Sequence, residues 1–223
     1  ESLAIEISIQ RKLDHPRIVK LYHVYETYYY LYLVMEYAAG KDLLHALGRK
    51  DKFSEKTAKR FATKMLDVLR YLKDQHVIHR DIKLENISII SNAGNPDLKL
   101  TDFSMAIFAN NNNNSRCGSP GYIAPEILKG ENYGLKADIF SAGVVLYILS
   151  VGKMPFYGRS QKEILLRNRD AILTFPANFM HTVSRKWINF LFKLLDPNPN
   201  TRISAGEALK EVSDMHYSNQ SSI

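Results

Sequence analysis

The amino-acid sequence predicts an α+β fold in which a small region with two strands precedes a larger, mainly helical region. β-branched and aromatic residues fill the range Ile18–Tyr37, with one break at Glu26 and Thr27, which is typical of two antiparallel strands. From Asp42 onward most of the chain has helical periodicity. The range Ala137–Val151 is apolar almost all round, which indicates a helix at the centre of the domain.

We assign the small region to residues 1–37. Residues 1–13 are ambiguous between helix and strand by periodicity alone, but Arg11 and Lys12 followed by Pro16 favour a helix that ends before the proline. Strands are predicted at Val19–Tyr25 and Tyr30–Glu36. The chain starts without Met and inside a helical pattern, so we expect it to be a fragment with a truncated N-terminal part.

We assign the larger region to residues 38–212 and expect a disordered polar tail at 213–223. Ser54 is a favourable N-cap for an amphipathic helix that runs to about Gln75. A turn-rich segment at 92–96 joins two predicted strands, and the asparagine run at 110–114 is interpreted as part of a loop. The other predicted elements are helices at Asp42–Leu47, Ser160–Arg169, Ser184–Leu195 and Ser204–Val212, and strands at Ile87–Ile90 and Leu98–Thr101.

The composition narrows the class of protein. The hydrophobic content of 45% and charged content of 24% are ordinary for a globular domain, and no apolar run approaches the roughly 20 residues of a membrane span. A single cysteine, Cys117, suits a reducing compartment, so we expect an intracellular, cytoplasmic location. The net charge of +7 is spread over helical patterns, which favours solvated helix faces over a nucleic-acid partner.

The segment His79–Asn86 contains the groups that phosphoryl transfer requires. That reaction needs a base to orient a hydroxyl, oxygen ligands for Mg²⁺ and a cation near the transferred phosphate. Asp81, Lys83 and Asn86 supply one group of each kind, and Asp102 adds a second carboxylate after the predicted strands. A lone Asp-x-Lys triplet would indicate nothing, whereas the full set in this order predicts a site for phosphoryl transfer.

Together with Asp102-Phe103 and Ala124-Pro125-Glu126, this segment resembles the motif set of the eukaryotic protein kinase family. Three further segments are similar to the calcium/calmodulin-dependent and calcium-dependent Ser/Thr kinases, namely Cys117–Glu126, Pro155–Gly158 and Arg202–Ala205. The resemblance covers about residues 1–212. It implies a two-lobed kinase fold, with a remnant N-lobe at 1–37 (the family's helix C and strands 4 and 5) and a C-lobe at 38–212. It also implies transfer of the γ-phosphate of ATP to Ser or Thr hydroxyls of protein substrates.

The resemblance implies a role for each motif residue. Asp81 would be the catalytic base and Lys83 would contact the transferred phosphate, a lysine at this spacing being typical of Ser/Thr kinases. Asn86 and Asp102 would bind Mg²⁺. Regulatory or structural roles are implied for Arg80, Ser115, Ser119, Glu126, Asp138 and Arg202.

The resemblance also implies a particular contact for each of these six residues. Arg80 would pair with a phosphate on Ser115, and Ser119 would touch the catalytic loop and shape the substrate site. Glu126 would form a buried ion pair with Arg202. Asp138 would brace the catalytic loop from the central helix.

The resemblance also implies the surroundings of the nucleotide. The residues concerned are Glu6, Met35, Glu36, Ala38, Asp42, Glu85 and Ser88. Glu6 would pair with an ATP-binding lysine, Met35 would be the gatekeeper, and the hinge from Glu36 to Ala38 would hydrogen-bond adenine. Asp42 and Glu85 also match the acids that basophilic kinases direct toward substrate arginines.

Four features depart from the family pattern. The sequence contains neither the Gly-rich loop nor the strand with the ATP-binding lysine, so we expect this chain alone to be inactive. Ser104 replaces the glycine of Asp-Phe-Gly, which would restrict motion while leaving the metal carboxylate intact. Ser88 replaces an apolar residue under adenine, which predicts weaker ATP binding. Gln10 replaces an apolar residue, and its amide is costly if it is buried without partners instead of reaching solvent.

These departures favour an alternative hypothesis, in which the chain is a pseudokinase that acts as a scaffold or binding module. The base, the phosphate-contacting lysine and both metal ligands are nevertheless present together, which favours the enzyme. A nucleic-acid-binding module has only the net charge in its support. The expected cofactors are ATP and Mg²⁺, and the expected partners are protein substrates, with a calcium-sensor regulator by analogy alone.

Overall fold

The computed structural model describes residues 2–48, 51–90, 97–110 and 113–217. The helices of this part are α1 (Ser2–Lys12), α2 (Leu43–Leu47), α3 (Glu55–Asp74), α4 (Pro125–Lys129), α5 (Lys136–Val151), α6 (Gln161–Asp170), α7 (Ala177–Met180), α8 (Arg185–Leu194) and α9 (Ala205–Tyr217). The strands are β1 (Leu21–Glu26), β2 (Leu31–Met35), β3 (Val77–Ile78), β4 (Ile87–Ile90), β5 (Asp97–Leu100) and β6 (Ile107–Phe108). A 3₁₀ turn occupies Leu84–Asn86. The predicted turn at 92–96 and residues 111–112 of the asparagine run lie outside the described residues.

The N-terminal region consists of α1 and an antiparallel hairpin. The helix stops at Lys12, ahead of Pro16, as predicted. β1 pairs with β2 from Leu21 opposite Met35 to Glu26 opposite Leu31, so the two predicted strands are present with ends shifted by one or two residues. Two further antiparallel pairs are formed in the described residues, β3 with β6 and β4 with β5.

Backbone hydrogen bonds hold the N-terminal region against the helical region. The Val19 amide donates to the Leu100 carbonyl at 3.0 Å, and the Leu100 amide donates to the Arg17 carbonyl at 2.8 Å. The Arg17 guanidinium also bonds to Asp97 at 2.9 Å and to Asp67 at 3.1 Å. This seam joins the hairpin to β5 and α3, and therefore fixes α1 relative to the loops that follow β5.

The core of the helical region is α5, in which every residue from Ala137 to Ser150 is buried. The prediction of a central apolar helix is therefore confirmed. The helix ends at Gly152, whose φ of 81° suits glycine, and a Cβ atom there would lie 2.4 Å from the Asp51 carbonyl oxygen. Within the described ranges no helix combines the length and the apolar character that a membrane crossing requires.

Helix α3, which packs against α5 and α9, matches its prediction closely. Its N-cap is Ser54, whose hydroxyl accepts the Thr57 amide at 3.3 Å, and its last residue is Asp74. The prediction for the C-terminus was wrong in part, because α9 continues through residues 213–217 instead of ending in a disordered tail. The reason is packing, since Met215 is buried beyond the predicted end of the helix. Residues 218–223 lie outside the described residues.

A buried ion pair joins α4 to the loop before α9. The Arg202 guanidinium donates to both carboxylate oxygens of Glu126, at 2.7 and 2.8 Å. It also donates to the carbonyls of Asp196 and Lys136 and lies 5.0 Å from the centre of the Phe140 ring. Neither charged side chain is more than 1% exposed. Each guanidinium nitrogen of this arginine therefore has at least one acceptor, which is the condition under which a buried ion pair is tolerated.

We expect the substitution Glu126→Gln to lower the free energy of unfolding by about 3 kcal/mol or more, because it leaves the buried Arg202 charge uncompensated. Urea unfolding followed by circular dichroism measures this change. The matched control is Lys193→Gln, which breaks the solvent-exposed pair with Glu211 and should leave stability nearly unchanged. Equal losses in the two variants would contradict the assignment of Glu126 to a structural ion pair.

Candidate active site

Three polar side chains predicted from the sequence converge on one carboxylate, that of Asp81. Asp81 is 8% exposed, and its Oδ1 accepts the Ser119 hydroxyl at 2.7 Å. Its Oδ2 accepts the Lys83 ammonium at 2.7 Å and the Asn86 amide at 3.0 Å. Lys83 also donates to the Ser119 hydroxyl at 2.9 Å. The structure thus brings the candidate base, the candidate phosphate contact, a candidate metal ligand and Ser119 into a single hydrogen-bonded cluster.

The cluster keeps the Asp81 carboxylate ionised. Burial alone would raise the pKa of Asp81, but the hydrogen bonds from Lys83 and Ser119 outweigh it, so its pKa lies below the ordinary value. An ionised carboxylate accepts hydrogen bonds only, which is the property required to orient a donating hydroxyl.

The buried carboxylate of Asp138 fixes the backbone in front of Asp81. It lies in the first turn of α5, is 2% exposed, and accepts the His79 amide at 2.7 Å and the Arg80 amide at 2.9 Å. Arg80 has a φ of 68°, a left-handed conformation that costs a non-glycine residue about 1 kcal/mol or more. The two hydrogen bonds hold the chain in this conformation, as the expected bracing role of Asp138 requires.

His79 lies behind the cluster and is fully buried. Its Nδ1 accepts the Asp81 amide at 3.2 Å, so the proton of the neutral ring is on Nε2, which donates to the Thr101 carbonyl at 3.1 Å. Burial lowers the pKa of His79, which keeps the ring in this neutral form. The ring packs edge-on against Phe103, with centroids 4.7 Å apart, and so links the loop of Asp81 to the segment of Asp102.

Asn86 and Asp102 present oxygen atoms on adjoining segments. The Asn86 amide nitrogen bonds to the backbone carbonyl and the carboxylate of Asp81, so the amide oxygen is the atom left for another ligand. The Asn86 carbonyl accepts the Thr101 amide at 2.9 Å. Because Asp102 follows Thr101, this bond holds the segment of Asp102 close to Asn86. Mg²⁺ prefers oxygen ligands and is commonly held by one or two carboxylates and several waters. One amide oxygen and one exposed carboxylate therefore fit this ion.

Ser104 has a contact that the sequence did not indicate. Its hydroxyl donates to Asp102 Oδ1 at 2.6 Å, and its amide approaches the same oxygen at 3.2 Å. The positive φ of 58° belongs to Asp102, so Ser104 needs no glycine-like conformation. The expectation that Ser104 leaves the candidate metal carboxylate intact is thus incomplete, because its side chain hydrogen-bonds to one oxygen of that carboxylate.

Glu6 of α1 faces the same carboxylate. The pKa of Glu6 is raised, first by partial burial and second by the charge of Asp102. None of the described residues forms an ion pair or hydrogen bond with the Glu6 side chain. The carboxylates of Glu6 and Asp102 have no cationic partner among the described residues, so this part of the site carries net negative charge.

The remaining residues expected around the nucleotide lie on the chain from β2 to α2, in the 3₁₀ turn and on β4. Met35 ends β2, and the Glu36 carboxylate that follows it accepts the Lys99 ammonium at 2.7 Å. Burial alone would raise the pKa of Glu36, but the bond from Lys99 lowers it below the ordinary value. Ala38 follows in irregular chain, between this ion pair and α2.

A close approach then brings Asp42 beside Ser88. A Cβ atom at Gly40 would lie 1.4 Å from the Ile89 carbonyl oxygen, so only glycine lets the chain pass this close to β4. Asp42 forms a β-bridge with Ser88 and caps α2 by accepting the His45 amide at 2.7 Å. Glu85 is exposed in the 3₁₀ turn.

The Arg80 side chain reaches the segment that carries Ser115. Its NH1 donates to the Ser115 hydroxyl at 2.8 Å and to the Tyr133 hydroxyl at 3.0 Å, and its Nε donates to the Met105 carbonyl at 2.6 Å. The Tyr133 hydroxyl in turn donates to the Ser115 carbonyl at 3.1 Å. The predicted partners Arg80 and Ser115 are therefore in contact through an unmodified hydroxyl.

Three residues of the site region were not singled out from the sequence: Lys99, Tyr133 and Asn168. Asn168 is fully buried, accepts the Gly121 amide at 3.1 Å and donates to the Ile123 carbonyl at 2.7 Å. The available signal was its position in α6, because it falls three and four residues after Leu165 and Ile164 on the apolar stripe. Tyr133 and Lys99 had no such signal, since each acts on a partner far away in sequence.

Comparison with known proteins agrees with this geometry. A family model described as protein kinase domain matches residues 1–212. Probable serine/threonine-protein kinase 2 of Plasmodium falciparum is 38% identical over 219 residues, which are 95% of this chain and 43% of that protein. Calcium-dependent protein kinase 5 of the same species is 37% identical over 212 residues, which are 94% of this chain and 37% of that protein. The calcium/calmodulin-dependent protein kinase type II alpha chain of Drosophila melanogaster is 35% identical over 213 residues, which are 94% of this chain and 40% of that protein. The chain thus spans less than half the length of these relatives.

Gln10 generates a prediction, because its side chain is buried in α1 and does not reach solvent. It is 2% exposed, and neither amide atom has a hydrogen-bond partner in the part of the chain that the structure describes. A buried, unsatisfied polar group costs about 1–3 kcal/mol. We expect Gln10→Met, which keeps the shape and removes the amide, to raise the free energy of unfolding by about 1 kcal/mol, measured by urea denaturation.

The control is Gln161→Met on the exposed side of α6, where no buried amide is removed. This variant should not gain stability. If Gln10→Met were no more stable than the parent chain, the unpaired amide would not be the strained group that the geometry indicates.

Proposed function

This chain belongs to the protein kinase family, and on that basis we propose that it carries the catalytic site of an ATP- and Mg²⁺-dependent protein serine/threonine kinase. The observation that supports the proposal most directly is the cluster of Asp81 with Lys83, Asn86 and Ser119. Because the chain spans less than half of its curated relatives, the activity is proposed for the whole protein of which this sequence is part.

The mechanism assigns Asp81 to the substrate hydroxyl. Its ionised carboxylate would accept the hydrogen bond of a Ser or Thr hydroxyl, orient the oxygen toward the γ-phosphorus of ATP, and take the proton as the bond to the ADP oxygen breaks. Lys83, already 2.7 Å from Asp81, would balance the charge of the phosphoryl group in transit. Asn86 and Asp102 would hold Mg²⁺, which when bound neutralises phosphate oxygens.

The nucleotide would lie against the chain from Met35 to Ala38 and against Ser88. A hydroxyl at Ser88 offers less apolar contact than a larger aliphatic side chain, so the affinity for ATP would be modest. Glu6 has no cationic partner among the described residues, which supports a role in pairing with an ATP-binding lysine.

Ser115 is the proposed site of an activating phosphorylation. Arg80 already donates to its hydroxyl, and a phosphate there would replace one neutral acceptor with several charged oxygens. Mass spectrometry of the active full-length protein tests this proposal, and a fully active enzyme with unmodified Ser115 would contradict it.

Substrate preference and calcium control are supported more weakly. Asp42 and Glu85 would favour substrate arginines, although the Asp42 carboxylate is partly used in capping α2. A calcium-sensor regulator rests on the names of the relatives alone. Activity of the full-length protein that does not respond to added Ca²⁺ with calmodulin would count against that regulator.

The proposed activity is tested by Asp81→Asn in the full-length protein. The amide cannot accept the substrate proton, so transfer of ³²P from ATP to a Ser-containing peptide should fall by about 10²-fold or more. The matched control is Asp170→Asn, which changes an exposed carboxylate at the end of α6 and should retain activity. Equal transfer by the Asp81→Asn variant and the parent protein would exclude this mechanism and favour the pseudokinase alternative.

A further inference from the structure

A cavity of about 590 Å³ adjoins the segment that contacts the catalytic carboxylate. Gly118 and Pro120 line it, and they flank Ser119, whose hydroxyl is 2.7 Å from Asp81 Oδ1. Consecutive residues of an extended peptide lie about 3.3 Å apart. A peptide whose hydroxyl is at Asp81 would therefore place residues on one side of that hydroxyl at the cavity.

The walls of this cavity are fixed by buried hydrogen bonds. Asn168 of α6 accepts the Gly121 amide and donates to the Ile123 carbonyl, so helix and loop cannot separate without exposing three polar groups. Apolar side chains from both walls form the floor. These are Pro120, Ile123, Leu128, Leu165 and Leu166.

The charged residues that line the cavity are all cationic: Arg116, Lys162 and Arg169. All three are exposed, and only Arg169 has an ion-pair partner among the described residues, namely its neighbour Asp170. The other acid of α6, Glu163, is outside the lining and bonds to the Arg167 guanidinium and the Arg159 amide. The cavity thus combines an apolar floor with a positive rim, in which Arg116 and Lys162 have no ion-pair partner among the described residues.

We propose that this cavity selects protein substrates with acidic residues close to the acceptor hydroxyl, next to an apolar residue that occupies the floor. The inference rests on the proposed kinase function and names a substrate class for the same site. It adds to the preference suggested by Asp42 and Glu85, which do not line this cavity and would act on other positions of the peptide. A substrate with basic residues on one side of the acceptor hydroxyl and acidic residues on the other would suit both the acids Asp42 and Glu85 and the cations of the cavity.

The test measures peptide binding and phosphate transfer separately in the full-length protein. Peptides share one serine and one leucine and carry two Asp, two Asn or two Lys residues, placed either before or after the serine. Binding is measured by fluorescence anisotropy. When the two variable residues are on the side of the serine that reaches the cavity, the Asp peptide should bind about fivefold more tightly than the Asn peptide, as expected for two or three exposed ion pairs. The Lys peptide should bind more weakly than the Asn peptide, and 0.5 M salt should remove the differences.

Variants assign the preference to the cavity. Arg116→Gln with Lys162→Gln should abolish the Asp preference, and Arg116→Glu with Lys162→Glu should reverse it toward Lys. The control, Arg185→Gln with Lys210→Gln, removes the same charges from α8 and α9 and should retain it.

The two proposals fail in different ways. A missing Asp preference, or one that survives in both cavity variants, would overturn the substrate inference even if phosphate is transferred. Transfer to every peptide no faster than by Asp81→Asn would overturn the kinase function, while an Asp preference in binding would still support the cavity as an acidic-peptide site.

Discussion

The arrangement of the site depends on two hydrogen bonds from the backbone of His79 and Arg80 to the buried carboxylate of Asp138. Asp138 belongs to α5, in which every residue from Ala137 to Ser150 is buried, so the loop in front of Asp81 is attached to the core of the helical region. The bonds also hold Arg80 at a positive φ, which turns its guanidinium toward Ser115 while Asp81 faces Ser119. One backbone conformation thus positions both the Asp81 carboxylate and the Arg80 contact with Ser115.

Charge is distributed unequally across the site. Asp81 has a cation and two neutral donors, which keep its pKa below the ordinary value despite burial. Asp102 and Glu6 have no such cation among the residues that the structure describes, and the pKa of Glu6 is raised by burial and by the charge of Asp102. The side that would orient the hydroxyl is therefore electrostatically complete in this chain. The side that would hold ATP and Mg²⁺ has an excess of negative charge from Glu6 and Asp102, which a bound cation such as Mg²⁺ would balance.

Local patterns predicted the elements well, and contacts distant in sequence explain what they missed. Ser54 and the apolar run of α5 determine their helices through neighbouring residues, and both predictions were confirmed. The contact of Tyr133 with Ser115 and that of Lys99 with Glu36 arise only when separate elements meet. The extension of α9 is of the same kind, because packing rather than polarity decides where the helix ends.

The departures of Ser104 and Gln10 from the family pattern have different physical consequences. The Ser104 hydroxyl has an acceptor in Asp102, so its polarity costs little, and it contacts the candidate metal carboxylate. The Gln10 amide has no partner in the described ranges, so its cost falls on α1, the helix that carries Glu6. None of the hydrogen bonds around Asp81 comes from α1. The cost of the unpaired Gln10 amide therefore falls on the helix that carries Glu6 and not on the hydrogen bonds that hold Asp81.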